Sequence, residues 1–273
     1  MCDSPLKISC IIPTRNRCKL VLEAIESVRQ QKLNGIEIVL VDDGSEDNTC
    51  SIVASQFPEV KQVQLTGKGP GAARNAGVSA ASGDILMFLD SDDTWLANHA
   101  RKLIEVLERG YRVAYGVTLT RDEVAGRDFL IPENGLGPEG DCFSALLRWC
   151  NMVPSSLALH HDIFWQIGGF DELAFGEDWS FLLKLGARYH FGFAGPTPIT
   201  LRRLHRGSLC FLRDRKNLLA IINQVLTVLE DEPRATVAHL DHFRMLHDWT
   251  AAKMDRLTTV QDWFKAMREE NLI

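Results

Sequence analysis

Four short strand-like stretches constrain this chain most: the mostly apolar Ile8 to Ile12, Ile36 to Val41 and Asp84 to Leu89, and Val60 to Leu65 between the last two, with helix-patterned segments separating them. Short apolar runs bounded by turn residues read as buried strands, and a helix between consecutive strands returns the chain for parallel pairing. Leu20, Val21, Ala24, Ile25 and Val28 recur at helical spacing after the first run. A helix that Pro58 stops follows the second, and the small-residue segment Ala72 to Ala81 follows the third. The expectation is an α/β chain with a mostly parallel central sheet flanked by helices. Three of the four strands run into polar residues: Pro13-Thr14-Arg15-Asn16, Asp42-Asp43-Gly44-Ser45 and Asp90-Ser91-Asp92-Asp93. Ligands of open parallel sheets bind beyond the carboxyl ends of the strands, so these three loops mark the candidate site.

Further along, the pattern predicts a helix from Asn98 to Arg109 and a strand from Arg112 to Leu119. The stretch Arg121 to Gly140, rich in Gly, Pro and acids, reads as a long binding loop or lid. A helix over Asp141 to Cys150, a strand over Val153 to His160, a short helix before Gly168-Gly169 and a helix over Glu177 to Arg188 follow. A strand then leads to His205. Leu218, Ile221, Ile222, Val225 and Leu229, then Leu240, Phe243, Leu246 and Trp249, read as amphipathic helices packed on the main body.

Composition narrows the function classes. With 273 residues, 45% apolar and 24% charged, the chain reads as globular and large enough for a sizeable core. No apolar run approaches the ~18 residues of a spanning helix, and the N-terminus lacks a signal pattern, so the expectation is a cytoplasmic protein. Seven cysteines with no Cys-x-x-Cys pair fit a reducing compartment better than a disulfide or zinc framework. The net charge of −6 argues against nucleic acid as a partner. That charge is unevenly divided. Residues 1–200 hold 18 basic against 26 acidic residues, a net of −8, whereas residues 201–273 hold 12 against 10, a net of +2. Arg202 to Lys216 concentrates six basic residues, which suits an anionic small ligand and leaves a peripheral membrane contact open.

Asp90-Ser91-Asp92-Asp93 places three carboxylates within four residues, which repel unless a cation is shared. Such oxygen-rich groups suit Mg²⁺ or Mn²⁺ with phosphate oxygens completing the shell. The plainer alternative is a solvated turn with Asp93 capping the next helix. Glu177-Asp178 after Gly176 is either a helix N-terminus favoured by the dipole or a carboxylate placed as general base. His205, within the basic segment, is either packing or an imidazole partner for carboxylates around a metal. Gly67-x-Gly69-x-x-Ala72 imitates the dinucleotide fingerprint but follows a third strand and contains Pro70. Asp90-Ser91-Asp92-Asp93-Thr94 has the Asp-x-Asp-x-Thr form of haloacid-dehalogenase-type phosphatases, which place it at the first strand; here two βα units precede it.

The motifs in order are Pro13-Thr14-Arg15-Asn16, Val41-Asp42-Asp43-Gly44-Ser45, Gly71-Ala72-Ala73-Arg74-Asn75, Leu89-Asp90-Ser91-Asp92-Asp93, Gly168-Gly169-Phe170-Asp171-Glu172, Gly176-Glu177-Asp178 and His205-Arg206-Gly207-Ser208. Together they resemble the family 2 glycosyltransferases over about residues 7–210. The resemblance implies a GT-A fold over residues 1–211, with 1–95 as the nucleotide-sugar half and 96–211 as the acceptor half; beyond it the family gives no guide, and the helical spacing predicts a helical extension over 212–273. The resemblance also implies a nucleotide-sugar donor, a UDP-sugar first, a glycan or lipid-linked saccharide acceptor, Mn²⁺ or Mg²⁺, and inversion at the anomeric carbon. By position, Pro13, Thr14 and Arg15 resemble the loop around base and ribose, and Asp43 the acid reading the uracil edge. Arg74 resembles the phosphate-side arginine, Asp90 with Ser91 the ribose side of the Asp-x-Asp motif, Asp92 the metal ligand and His205 the second ligand. Asp178 resembles the catalytic base, and Arg206 is expected near the phosphates. Arg15 stands where the family often has Tyr, and Gly69-Pro70 where Asn is common. The rival readings are phosphoryl transfer at Asp90 and a non-catalytic scaffold that binds a sugar nucleotide.

Overall fold

A computed structural model describes residues 6–31, 33, 35–148, 150–173, 176–209, 216–253, 256–257 and 260–272. The expected parallel unit is present: β1 (Ile8–Thr14) pairs in parallel with β2 (Ile36–Asp42) on one side and β4 (Ile85–Phe88) on the other, and β3 (Lys61–Gln64) lies beside β2. Helices α1 (Leu20–Arg29), α2 (Thr49–Gln56) and α3 (Pro70–Ala80) make the crossovers. Beyond β4 the sheet becomes mixed. β8 (Leu157–His160) enters antiparallel to β4, and β6 (Val113–Asp122) antiparallel to β8. The long β9 (Phe191–Leu204) then runs parallel to β6, and β5 (Thr94–Trp95) pairs antiparallel with β9. The order is β3-β2-β1-β4-β8-β6-β9-β5, with β7 (Arg127–Ile131) beside β6.

Residues 121–140 differ from the expected loop. β6 continues to Asp122, β7 folds back on it in register Thr118 to Ile131, and a 3₁₀ turn spans Glu133–Gly135. The Asp122 carboxylate closes the hairpin by accepting the amides of Val124 and Ala125 at 3.1 and 2.9 Å. β7 is short and half exposed, so it lacks the apolar run by which a strand is recognised. Two other elements are shorter than expected. α5 covers Phe143–Arg148, and a 3₁₀ turn at Pro154–Ser156 precedes β8, where Pro154 has no N–H to give a ladder.

Strand alternation divides the core between two sheet faces. Cys10, Ile12, Leu40 and Met87 face one way, against α1, α2 and α4 (His99–Glu108). Ile11, Val39, Val41, Leu86 and Phe88 face the other, against α3, α5 and α7 (Glu177–Arg188). After the short α6 (His161–Phe164), the C-terminal helices α8 (Lys216–Glu230), α9 (Val237–Lys253) and α10 (Val260–Glu269) join this second core. Leu218, Ile221, Ile222, Val225, Phe243 and Leu246 share it with Phe181 and Leu182 of α7, so these helices are a wall of the body. Among the described residues no helix is long and apolar enough to cross a membrane.

Two glycines fix how α3 and α7 meet. Gly176 sits at φ +83 before α7, and a Cβ there would overlap the Ile221 side chain of α8. Gly71, in the first turn of α3, lies so near the Asp171 carbonyl that a Cβ would overlap its oxygen. Gly71→Ala should therefore push α3 away from residues 170–177 and cost about 1–3 kcal/mol of stability, the usual range for overpacking. A denaturant midpoint equal to that of the parent chain would contradict this packing.

Candidate functional site

The ends of β1, β2 and β4, the start of α7 and the end of β9 enclose a cleft of about 610 Å³. Pro13, Thr14, Arg15, Asp43, Arg74, Asp90, Ser91, Asp92 and Asp178 line it, and His205 stands behind Asp92. The structure thus brings all ten candidate residues to one place.

At one end the β1 and β2 loops clasp each other: the Asn16 amide donates to Ser45 Oγ at 2.8 Å, and the Glu46 amide to Asn16 Oδ1 at 2.8 Å. Asp43 is buried beside them. Its two carboxylate oxygens accept the amides of Lys68 and Gly69 at 2.7 Å each, which wraps the glycine loop around this acid. Gly67 and Gly69 take φ +77 and +93, so the dinucleotide-like spacing serves this turn. Thr14 Oγ1 is buried without a hydrogen-bond partner, an orphaned polar atom beside the cleft.

At the centre, Arg74 does not face open space. Its guanidinium, 4% exposed, donates to Asp90 Oδ1 and to Glu177 Oε1, each at 2.6 Å, and lies 5.1 Å from the Phe170 ring. Burial alone would lower its pKa, but the two carboxylates hold it above the ordinary value. Burial pushes Glu177 up to about 7, against the pull of Arg74. Arg74 lines the cleft, as expected, and is at the same time a buried clamp joining α3, the end of β4 and α7. At the start of α7, Gly176 occupies the N-cap position, and Asp178 Oδ1 accepts the Trp179 amide at 2.8 Å. Its other oxygen has no hydrogen bond among the described residues. Burial raises the Asp178 pKa, with Arg74 opposing. A half-buried carboxylate with a free oxygen and a raised pKa is suited to take a proton from a ligand hydroxyl.

The three acids of the β4 end separate by role. Asp90 belongs to the clamp. Asp92 Oδ2 lies 3.1 Å from His205 Nε2 and 3.7 Å from an Arg17 guanidinium nitrogen, and Arg17 also donates to the Gly207 carbonyl at 2.7 Å. Asp93 does not cap a helix. It is 2% exposed and accepts the Ser155 hydroxyl at 2.7 Å and the Arg203 amide at 3.1 Å, tying β4 to β9. Burial, then Asp92 and Asp90, raise its pKa well above the ordinary value.

Sequence reasoning missed Arg17, and Glu177 in the clamp, and left Arg202 and Arg203 undistinguished within the basic run; all four line the cleft. Arg17 lies only two residues beyond the Pro-Thr-Arg motif, a signal that could have found it. Arg206, expected near the phosphates, is exposed and outside the lining. Arg213, Arg215 and the Lys216 side chain, expected at an anionic acceptor or a membrane, lie outside the described residues.

Residues 9–168, more than half of the chain, match the model of glycosyl transferase family 2. The chain belongs to this family. An uncharacterized glycosyltransferase of Nostoc is 34% identical over 61% of this chain and 54% of its own length. A Campylobacter jejuni protein named GalNAc(5)-diNAcBac-PP-undecaprenol beta-1,3-glucosyltransferase is 34% identical over 43% of this chain and 40% of its own. The chain spans about half the length of the curated relatives it matches. The crystal structure of S. aureus TarS 1-349 in complex with UDP-GlcNAc covers 96% of this chain and 80% of its own at a TM-score of 0.72 and 18% identity. That likeness shows a shared GT-A fold, here a mixed sheet with flanking helices and a helical C-terminal region.

The clamp makes a pH prediction. The folded chain holds the Glu177 proton up to about pH 7, whereas the unfolded chain releases it near 4.5. In that window the folded state binds more protons, so this contribution to stability is full at low pH and lost as pH rises. Glu177→Gln should gain on the parent chain by roughly 2–3 kcal/mol between pH 4.5 and 8. A stability difference independent of pH would remove Glu177 as the titrating group.

Proposed function

We propose that this chain is an inverting glycosyltransferase that moves a sugar from a nucleotide sugar, a UDP-sugar first, to a hydroxyl of a glycan or lipid-linked saccharide. The observation that carries the reading is Asp178, which lines the same cleft as the strand-end residues Thr14, Asp43 and Asp92 and has one carboxylate oxygen without a hydrogen bond among the described residues. The acceptor hydroxyl gives its proton to Asp178 as its oxygen bonds to the anomeric carbon, and the bond from that carbon to the diphosphate oxygen breaks. Single displacement from the far side inverts the centre.

The donor end follows from the orphaned and bonded groups. Each Asp43 oxygen accepts one amide and keeps a lone pair free, enough to receive the N–H of a uracil edge. Thr14 Oγ1 offers its unsatisfied hydroxyl to base or ribose, and the Asp90 oxygen away from Arg74 can accept ribose hydroxyls. The undecaprenol-linked substrate in the Campylobacter relative's name supports a lipid-linked acceptor, which would bring the chain to a membrane surface.

A divalent cation, Mn²⁺ or Mg²⁺, belongs to this reading, and the donor set fits one. Asp92 and His205 are an oxygen and nitrogen pair 3.1 Å apart beside the cleft. Among the described residues no group of three such ligands forms, so diphosphate and water would complete the shell. His205 Nδ1 accepts the Gly207 amide at 3.1 Å, which assigns the ring proton to Nε2 facing Asp92. For Nε2 to become a ligand the proton would shift to Nδ1, which would give up the Gly207 amide. When bound, the cation would act as a Lewis acid on the diphosphate.

Phosphoryl transfer at Asp90 is the weaker reading, since one of its oxygens is held by Arg74 at 2.6 Å. A thermal-shift panel tests the proposal. UDP with Mn²⁺ should stabilise the chain by about 2.7 kcal/mol at a hundred times its Kd, with smaller shifts for ADP, GDP or UDP in EDTA. Asp92→Asn should lose the Mn²⁺ dependence, whereas Asp178→Asn should keep UDP binding and lose transfer by about 10²–10⁴-fold. Equal shifts for all nucleotides would sink the base assignment, and joint loss of UDP binding in both variants would make Asp178 structural.

A further inference from the structure

Five arginines line the cleft, and three are already engaged. Arg17 reaches Asp92 and Gly207, Arg74 is clamped, and Arg203 donates to Glu23 of α1 at 2.6 Å. The Arg202 side chain makes no hydrogen bond or ion pair with any described residue. Strand alternation explains the difference: Arg203 turns toward α1, so Arg202 turns to the face of Thr200, whose hydroxyl donates to the Ser155 carbonyl at 3.0 Å. Its charge opposes the rise that burial causes at Asp93 and Asp178, and it lowers Cys150 likewise, which places it on the α7 side of the cleft. Arg15 and Lys68 also lack acid partners, but they are exposed at the opposite end beside Gly67. Arg202 is half-buried at the residue level and lines the cleft, so its five donors are open to a ligand there.

We propose that Arg202 receives an anionic group, a carboxylate or a phosphate, carried by the acceptor beside the hydroxyl that Asp178 deprotonates. This rests on the reading of Asp178 as the base. The guanidinium fork suits either oxyanion through paired hydrogen bonds. The donor diphosphate falls instead to the Asp92, His205 and Arg17 side, across the buried Asp93. Acceptors of this class are sugars bearing a uronate or a phosphate, and neutral glycans are disfavoured.

The test fills the donor site first. With the chain saturated by UDP and Mn²⁺, glucuronate, glucose 6-phosphate and glucose are titrated by calorimetry. One or both anionic sugars should bind at least about tenfold tighter than glucose. Arg202→Gln should abolish that preference, Arg202→Lys should keep part of it, and Arg206→Gln should leave it unchanged. UDP affinity should stay equal in all four proteins, which also shows that the variants fold. No preference for the charged sugars, or a preference surviving in Arg202→Gln, overturns the proposal while the donor reading stands. Loss of UDP affinity in Arg202→Gln overturns it by assigning the guanidinium to the diphosphate. A parent chain that binds no UDP overturns the functional reading beneath it.

Discussion

The Arg74 clamp is the interaction on which the site geometry depends. Arg74 rises from α3, Asp90 ends β4 and Glu177 begins α7, so one guanidinium sets the distance between the strand-end acids and the helix that carries Asp178. A buried charge cluster stabilises only when its hydrogen bonds are well formed, because desolvation opposes it. Here both carboxylates are met at 2.6 Å and the Phe170 ring lies 5.1 Å away. Asn75 adds a second tie, exchanging bonds of 2.8 and 2.9 Å with the Phe170 backbone. Gly71 allows the close approach that both ties require.

The region matched by the family model ends at residue 168, yet Asp178, Arg202 and His205 all lie beyond it. Their positions depend on packing that continues into the C-terminal helices. Ile221 of α8 fills the space that Gly176 leaves open, and Trp179 Nε1 donates to the Leu146 carbonyl of α5 at 2.7 Å. α7 is therefore held on one side by the clamp and on the other by α5 and α8. The helices after residue 215 back the cleft through α7, although among the described residues none of theirs lines it.

β1, β2 and β4 were legible because they are largely buried on both faces, which writes them as near-continuous apolar runs. β7 was hidden because it is half exposed on the sheet margin. The site residues were legible as a set, since strand ends converge in space as they do in the pattern. Their partners were not. Glu177 is 103 positions from Arg74, and nothing local to Arg74 shows that two acids claim it. Likewise, Asp92 and Asp93 are neighbours in sequence but point to opposite duties, one beside His205 and one into the β4–β9 junction. Choosing between Arg202 and Arg206 required the register of β9, which the basic run by itself does not encode.

Charge balance connects the clamp to the proposed chemistry. Seven acids and six bases line the cleft, but Arg17, Arg74 and Arg203 already face acids within the structure. A diphosphate entering this space meets the field of Asp90, Asp92 and Asp93, which the engaged arginines have largely neutralised among themselves and cannot offset again for the ligand. Arg15 and Lys68 stand at the nucleoside end, and Arg202 stands on the Asp178 side. The positive charge that a departing diphosphate requires is thus missing where Asp92 and His205 meet, and a divalent ion shared by that pair and the phosphates would supply it. An Arg74 held between Asp90 and Glu177 would leave more of that charge to the ion than an open guanidinium would.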